Sequence, residues 1–322
     1  MVNFQKAFLN SWNILLKDKR IVLPYLMFFV TFILFGAILF QVTGIYPFFK
    51  EYKAHYDNYV KESFDLEKFK EGSPREDFNT YLANNGFSFE KIFTGFNLGN
   101  LALIILIAVF GFIILLYLSV MTNQISASAI KEGKIDLAKV AVSSLKLFLR
   151  YFALNVIGFL IFLLPVLIIM ILAGLLILAS KIVGILVFIL LIILYIVYLV
   201  IFGIRFFFSH PAMFLENKTA FGSYKESFVI TKGNFLKTLF IFGIFYSAAY
   251  LIGMIGTEPL SVAIRDSFFG DYILKILINA FFVGVFIIAV AYLFTLFNLF
   301  YFNMYIEFKR DIKDANPQKA NR

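Results

Sequence analysis

Four charged side chains beside long apolar runs are the strongest candidates for chemistry in this sequence of 322 residues. Arg205 closes one run, Glu216 and Glu226 follow it, and Glu307 lies at the end of the last run. A guanidinium at such a position pairs with a carboxylate or reaches a lipid phosphate. The sequence therefore predicts a polar cluster of Arg205, Glu216 and Glu307. The alternative is that Arg205 is an ordinary interfacial anchor.

The rest of the sequence shows no catalytic or metal-binding pattern. It contains no cysteine, which excludes thiolate nucleophiles, disulfides and cysteine-ligated zinc. The two histidines, His55 and His210, fall in predicted loops on opposite sides of the expected spans, and no glycine-rich phosphate loop occurs. We therefore expect no catalytic residue, no cofactor and no metal, and a protein that is not an enzyme.

The composition indicates what positions these side chains. Hydrophobic residues make up 61% of the chain and charged residues 15%, whereas a soluble domain carries about 25% charged residues. A globule cannot bury this much apolar surface, so the excess must face lipid. The apolar residues are also clustered into runs long enough to cross ~30 Å of hydrocarbon as helices.

These runs predict an all-α, polytopic membrane protein with about six transmembrane helices in a single domain over residues 1–308. The expected spans are residues 21–42, 98–121, 148–178, 183–208, 235–256 and 276–304. The first run is longer than a signal-peptide core, and no small-x-small cleavage site follows it. We therefore expect it to remain in the mature chain.

The lysines and arginines predict the orientation. The side that would hold both termini carries 19 of them and the other side 10. Because basic residues concentrate on the cytoplasmic side, we expect a multi-pass protein of the cell membrane with both termini, including a tail of residues 309–322, in the cytoplasm. This distribution also accounts for the net charge of +9 without nucleic acid.

Three segments with helical spacing precede outgoing spans and predict amphipathic interfacial helices. The apolar faces expected of them are Phe4, Phe8, Trp12 and Leu15; Ile135, Ala138, Val142 and Leu145; and Phe221, Tyr224 and Phe228. Each would begin a unit of one amphipathic helix and two spans, so the pattern predicts three parallel repeats. The alternative is that cytoplasmic connectors of membrane proteins are commonly amphipathic.

Residues 43–97 predict an extracytoplasmic helical loop. Tyr52, Tyr56 and Tyr59 would form an aromatic stripe on a first helix, and a second short helix would end near Asn84. This loop would act as a lid or a partner-binding cap. The alternative, which we favour, is a helical hairpin that packs its aromatic side chains on the headgroups.

Polar residues inside the expected spans are few. No charged residue lies near the middle of the first five spans, which counts against ion-coupled transport. The deeper polar residues are expected to form hydrogen bonds between helices: Gln41, Asn155, Ser247, Asn279, Thr295 and Asn298. Pro165 would release a backbone carbonyl in mid-span, either as a ligand-binding group or in a simple kink.

A family resemblance rests on residues 205–234, which read RFFFSHPAMFLENKTAFGSYKESFVITKGN, and on the opening AFLNSWNILLKDKRIVLPYL. The matching positions are Arg205, Pro211, Glu216, Ala220, Ser227, Lys232, Gly233 and Asn234. The chain resembles uncharacterised six-helix prokaryotic membrane proteins, among them the glycerophosphoryl diester phosphodiesterase membrane domain and related archaeal families. The resemblance implies a six-helix fold, but not the diesterase activity, which belongs to a separate soluble domain.

The sequence leaves three hypotheses about function. The first is a non-enzymatic protein that organises anionic lipid headgroups, a protein partner or a second copy of itself. The second is a transporter or channel for a small apolar or zwitterionic solute. The third is a lipid enzyme, which would need acids or histidines at one depth, and only Arg205, Glu216 and Glu307 offer such a layer.

Overall fold

The computed structural model describes residues 2–43, 45–63, 78–87, 98–133, 135–245, 247, 250 and 273–315. Every regular element in these ranges is helical, as the all-α prediction requires. The helices are α1 (Phe4–Lys17), α2 (Val22–Val42), α3 (Ile45–Ser63), α4 (Phe78–Asn84), α5 (Leu98–Glu132), α6 (Leu137–Ala179), α7 (Lys181–Phe206), α8 (Ser209–Glu216), α9 (Ala220–Lys232), α10 (Phe235–Phe245) and α11 (Ile273–Ala315).

Five of these helices, α2, α5, α6, α7 and α11, are long and apolar enough to cross a membrane. A sixth span would require α9 and α10 to count as one, although the chain bends by 111° between them. The fifth predicted span, residues 235–256, coincides with α10 only at its start, since most of its second half lies outside the described residues. The prediction of long apolar helices is thus confirmed for five spans.

Several helices extend beyond their predicted boundaries. α6 and α11 have 43 residues each, which corresponds to about 65 Å at 1.5 Å per residue. The predicted amphipathic segment and the third span are therefore a single helix, which begins at the N-cap Asp136. At the other end of the chain, α11 continues to Ala315. The predicted tail of residues 309–322 therefore begins inside a helix, because the polar sequence after Met304 still packs against other helices.

The described chain forms two compact units. The larger unit consists of residues 1–29 and 116–322, and the smaller one of residues 30–115. In the larger unit, a buried aromatic cluster around Phe208, Tyr301, Tyr305 and Phe308 joins α11 to the turn that follows α7. This cluster fixes the ends of the two helices next to each other.

A buried network of polar side chains joins three spans of the larger unit. The Tyr25 hydroxyl donates to the carbonyl oxygen of Thr122 at 3.1 Å and lies 3.0 Å from the Ser126 hydroxyl. The Asn298 amide donates to the Tyr25 hydroxyl and lies 3.3 Å from Ser126. The expected role of Asn298 between helices is confirmed. Asn155 and Thr295 instead bond to carbonyls of their own helices, four residues back.

α6 and α7 form a hairpin that packs closely at its closed end. A Cβ added at Gly184 would lie 2.5 Å from the backbone nitrogen of Ile177, so only glycine allows this approach. Pro165 lies inside α6 without ending it. Along its whole length, α7 buries only Gly184 and Ile204. Most of this hairpin surface is therefore apolar and exposed, as expected of a surface that faces lipid.

The smaller unit contains two helices from the predicted loop. Aromatic rings of α3 pack on the end of α4: Tyr52 and His55 lie 5.6 and 5.4 Å from Phe87, and Tyr59 lies 5.3 Å from Tyr81. Gly86 ends α4 with a positive φ of 68°, as the predicted stop after Asn84 requires. Tyr52 and Tyr59 of the predicted stripe therefore face a second helix, whereas its third member, Tyr56, is 49% exposed.

Candidate functional site

Two carboxylates and two ammonium groups form a closed ring where α8, α9 and α11 meet. Glu216 pairs with Lys309 and, at 3.3 Å, with Lys218. Glu226 pairs with Lys218 and, at 3.1 Å, with Lys309. Each charge therefore contacts two charges of the opposite sign. The Tyr305 hydroxyl donates a further hydrogen bond to Glu216.

Local sequence positions the members of this ring. Asn217 ends α8 in the left-handed conformation with a φ of 55°, and the Thr219 hydroxyl accepts from the Gly222 amide at 3.2 Å to start α9. Glu216 and Lys218 therefore flank a tight connector between two helices. Tyr305 and Lys309 are four residues apart on α11, so they lie on the same helix face.

The ring is shielded from water but not sealed. The four side chains retain between 20% and 31% of their exposure. Burial opposes charge on Lys218, but its bond to Glu226 and the charges of Glu216 and Glu226 outweigh this effect and raise its pKa. A network of partly buried charges contributes more than isolated surface pairs do. The ring can therefore hold three helices in one arrangement.

Two further cations, one on α5 and one on α6, bind the end of α8 and the connector that follows it. The Lys131 ammonium donates to the carbonyl oxygen of Phe214 at 3.2 Å, near the C-terminal end of α8. A guanidinium nitrogen of Arg150 donates to the side-chain oxygen of Asn217 at 2.9 Å. Cations at the end of a helix stabilise its carbonyl groups. The end of α8 and the connector that follows it are thus held by α5 and α6 as well as by the charged ring.

The structure does not pair Arg205 with the carboxylates expected around it. Glu216 belongs to the ring, and Glu307 pairs with Arg310. The Arg205 guanidinium instead lies over two aromatic rings, 4.8 Å from the centroid of Phe228 and 5.4 Å from that of Phe235. One of its terminal nitrogens, Nη1, is buried without a hydrogen-bond partner among the described residues.

Ser227 links the end of α7 to α9. Its hydroxyl donates to the carbonyl oxygen of Arg205 at 2.8 Å and accepts from the Phe208 amide at 3.0 Å. Both backbone groups lie where the helix ends and would otherwise lack intrahelical partners. Ser227 therefore fixes the Arg205 backbone next to α9, and this explains how the guanidinium comes to lie on Phe228.

The helices at the three predicted amphipathic segments pack through small residues and leave much of each predicted apolar face exposed. α1 buries Ala7, Ser11 and Leu15, while Phe8 and Trp12 are 46% and 43% exposed. α9 buries mainly small residues, Ala220, Ser223, Ser227, Ile230 and Thr231, while Phe221 and Phe228 are 75% and 43% exposed. The first turns of α6 follow the same rule, with Val140 and Ser144 buried and Val142 and Leu145 exposed. Small side chains permit close helix packing and leave the aromatic side chains to the surroundings.

Sequence reasoning did not identify Lys218, Tyr305 and Lys309 as members of a site. The only available signal was the four-residue spacing of Tyr305 and Lys309. Of the two histidines, His55 lies on α3 and His210 on α8. In the described part of the chain, no group of three or more histidine, cysteine, aspartate or glutamate residues is arranged to hold a metal ion.

Fold and site together define an all-helical protein with five candidate membrane-spanning helices and a charged ring beside their ends. The chain matches no family model, no curated protein and no solved structure. The resemblance to the phosphodiesterase membrane domain therefore stays a prediction, which rests on the residues quoted for it.

Proposed function

We propose that this is a non-enzymatic, multi-pass protein of the cell membrane that binds and organises anionic lipid on its cytoplasmic side. The observation that carries the proposal is the distribution of side chains on α9. This helix buries serine and threonine and exposes Phe221, Phe228 and Val229. A helix that exposes such side chains beside lysines suits the membrane interface, where aromatic rings and basic groups meet headgroups.

The basic residues of this surface support an anionic ligand. Lys225 and Lys232 are exposed on α9, three and four residues from Phe228, and Lys6 and Lys17 are exposed on α1. Each basic side chain near an anionic surface contributes about 1 kcal/mol to binding. Both termini would then be cytoplasmic, as the distribution of lysine and arginine predicts.

Vesicle binding tests the proposal. The full chain in detergent would be reconstituted into vesicles of phosphatidylglycerol and phosphatidylcholine, and the lipids that co-purify after re-extraction would be measured. We expect enrichment of phosphatidylglycerol that is lost in Lys225→Gln/Lys232→Gln but kept in the control Lys50→Gln/Lys181→Gln, which removes two exposed lysines from the opposite predicted side. Equal recovery of both lipids by the unsubstituted chain would contradict the proposal.

The alternative of a transporter or channel for an apolar or zwitterionic solute stays a prediction. One of its two supports was the carbonyl released by Pro165, and this carbonyl, that of Ile161, accepts a hydrogen bond from Tyr198 at 2.9 Å. What remains in its favour is the predicted, untested repeat of an amphipathic helix and two spans. A flux assay in vesicles with the same reconstituted chain would test it.

A further inference from the structure

Arg205 has a charge that the described chain does not neutralise. Its guanidinium forms no ion pair with a described carboxylate, and Nη1 is buried without a hydrogen-bond partner. The two glutamates expected beside it are paired with Lys218 and Lys309 and with Arg310. A partly buried charge without a partner is costly, and an anionic ligand would compensate what the described residues leave unpaired.

Two aromatic rings hold this guanidinium in a defined place. Phe228 and Phe235 contribute rings whose centroids lie 4.8 and 5.4 Å from its central carbon. Stacking on aromatic faces leaves the edges of the planar guanidinium to donate hydrogen bonds. Because Nη1 is buried, the edge for two parallel hydrogen bonds to an outside ligand is the one formed by Nε and Nη2. The backbone carbonyl of Arg205 accepts a hydrogen bond from the Ser227 hydroxyl, which fixes the backbone that carries this guanidinium.

The surroundings of the site select the source of the anion. Phe228 is 43% exposed and Leu236 is 76% exposed, which fits lipid contact on this side of α9 and α10. Lys225 and Lys232 follow the same helical stripe as Phe228, at steps of three and four residues, and both are exposed. A ligand here meets three positive charges and an apolar surface together. A phospholipid with net negative charge has both a phosphate and acyl chains to match them.

We infer that the Arg205 guanidinium binds the phosphodiester of an anionic phospholipid in a bidentate manner, between Phe228 and Phe235. This inference rests on the proposed lipid-binding function and adds a specific headgroup site to it. Lys225 and Lys232 increase the local concentration of anionic lipid, whereas Arg205 retains one lipid molecule. Inorganic phosphate presents the same oxygens but lacks acyl chains, so it is the comparison that separates the two sources.

Native mass spectrometry of the full chain in detergent tests the site. Phosphatidylglycerol would be titrated against the unsubstituted chain and against Arg205→Lys, Arg205→Gln and Phe228→Leu. Loss of one bidentate, charge-assisted contact should weaken the first bound lipid by about tenfold or more in Arg205→Gln. Arg205→Lys should recover only part of this affinity, because an ammonium cannot form the fork. Phe228→Leu should weaken it by roughly two- to fivefold.

The controls separate this inference from the proposed function. Lys225 lies on the same stripe of α9 as Phe228. Lys225→Gln should therefore change the affinity for the first bound lipid less than Arg205→Gln does. Equal first-lipid affinity in the unsubstituted chain, Arg205→Lys and Arg205→Gln, with vesicle enrichment still lost in Lys225→Gln/Lys232→Gln, would overturn the site alone. Displacement of the bound lipid by millimolar inorganic phosphate would also overturn it. If Arg205→Gln does not fold, the Arg205→Lys and Phe228→Leu titrations decide the question.

Discussion

The hydroxyl of Tyr198 on α7 lies 2.9 Å from the carbonyl oxygen of Ile161 on α6 and donates a hydrogen bond to it. Ile161 is four residues before Pro165, so its carbonyl has no backbone donor within its own helix. In hydrocarbon such a carbonyl finds no water. The neighbouring helix therefore provides the missing donor, and α6 can pass through Pro165 without ending.

Tyr198→Phe should destabilise the α6–α7 hairpin by about 1 kcal/mol, because it leaves this carbonyl without a donor. The effect should largely disappear when Pro165→Ala is also present, since alanine restores the backbone donor. Thermal unfolding of the four chains in detergent would measure this coupling. Tyr195→Phe is the matched control, because Tyr195 donates to Phe162 and the residue four positions after Phe162, Val166, has its own N–H. A cost of Tyr198→Phe that is the same with and without Pro165 would contradict this account.

The charged ring should be more important for stability than an exposed pair of the same chemistry. Glu226→Gln removes one carboxylate from two ammonium groups that are about two-thirds buried, and we expect a loss of about 1–2 kcal/mol in the free energy of unfolding. Lys139→Gln breaks the pair of Lys139 with Glu132, whose side chains are 65% and 49% exposed, and should change stability by less than about 0.5 kcal/mol. Chemical unfolding in detergent at low and at high salt would compare the two. The ring interpretation fails if both variants lose the same free energy.

Two fully buried serines provide a second comparison. Ser227 forms hydrogen bonds, whereas Ser144 forms none with the described residues. Ser227 donates to the Arg205 carbonyl and accepts from the Phe208 amide, so Ser227→Ala should cost about 1–3 kcal/mol, mainly by leaving the Phe208 amide unpaired. The Ser144 hydroxyl has no partner among the described residues. Ser144→Ala should therefore be neutral or stabilising. Midpoints of thermal unfolding would rank the two, and the opposite ranking would contradict the assigned contacts.

Asp18 should contribute to the acid dependence of stability. The side-chain hydrogen bond from Arg20 holds the pKa of Asp18 below its ordinary value of 3.8. A carboxylate whose pKa is lowered by folding stabilises the folded chain above the unfolded pKa, and this contribution disappears as pH falls through the folded pKa. Asp18→Asn retains an N-capping side chain but removes the charge. The difference in melting temperature between the two chains should therefore be present at pH 6 and should decrease as pH falls below 3.8 and through the lowered pKa of the folded chain. A difference that does not change with pH would exclude this origin.

The sequence predicted the fold where local signals decide it. The helical spacing of apolar residues predicted helices where the structure has α1 and α9. In the structure these helices begin after the N-caps Asn3 and Thr219 and end at Lys17 and Lys232. The pattern did not reveal which face of each helix is buried. In lipid, large apolar side chains have no preference for the interior, so small residues such as Ser11 and Ser227 form the packed face.

The charged ring could not be predicted from the sequence. Glu216 and Lys309 are 93 residues apart, and only the packing of α8 against α11 brings them together. The continuation of α11 past Met304 was also missed, because a run of polar residues normally indicates the end of a span. Arg205 does not pair with Glu216 in the structure, because Lys218 and Lys309 already neutralise that carboxylate.

The length of α11 has a mechanical consequence. Lys309 lies on the same uninterrupted helix as the apolar segment from Val283 onward, with no break in the described chain to absorb a rotation. Helices that exceed the thickness of the bilayer respond to a thinner one by tilting. A change of tilt in the apolar half would therefore displace Lys309 relative to Glu216 and Glu226. The distances within these ion pairs would then change with the thickness of the bilayer.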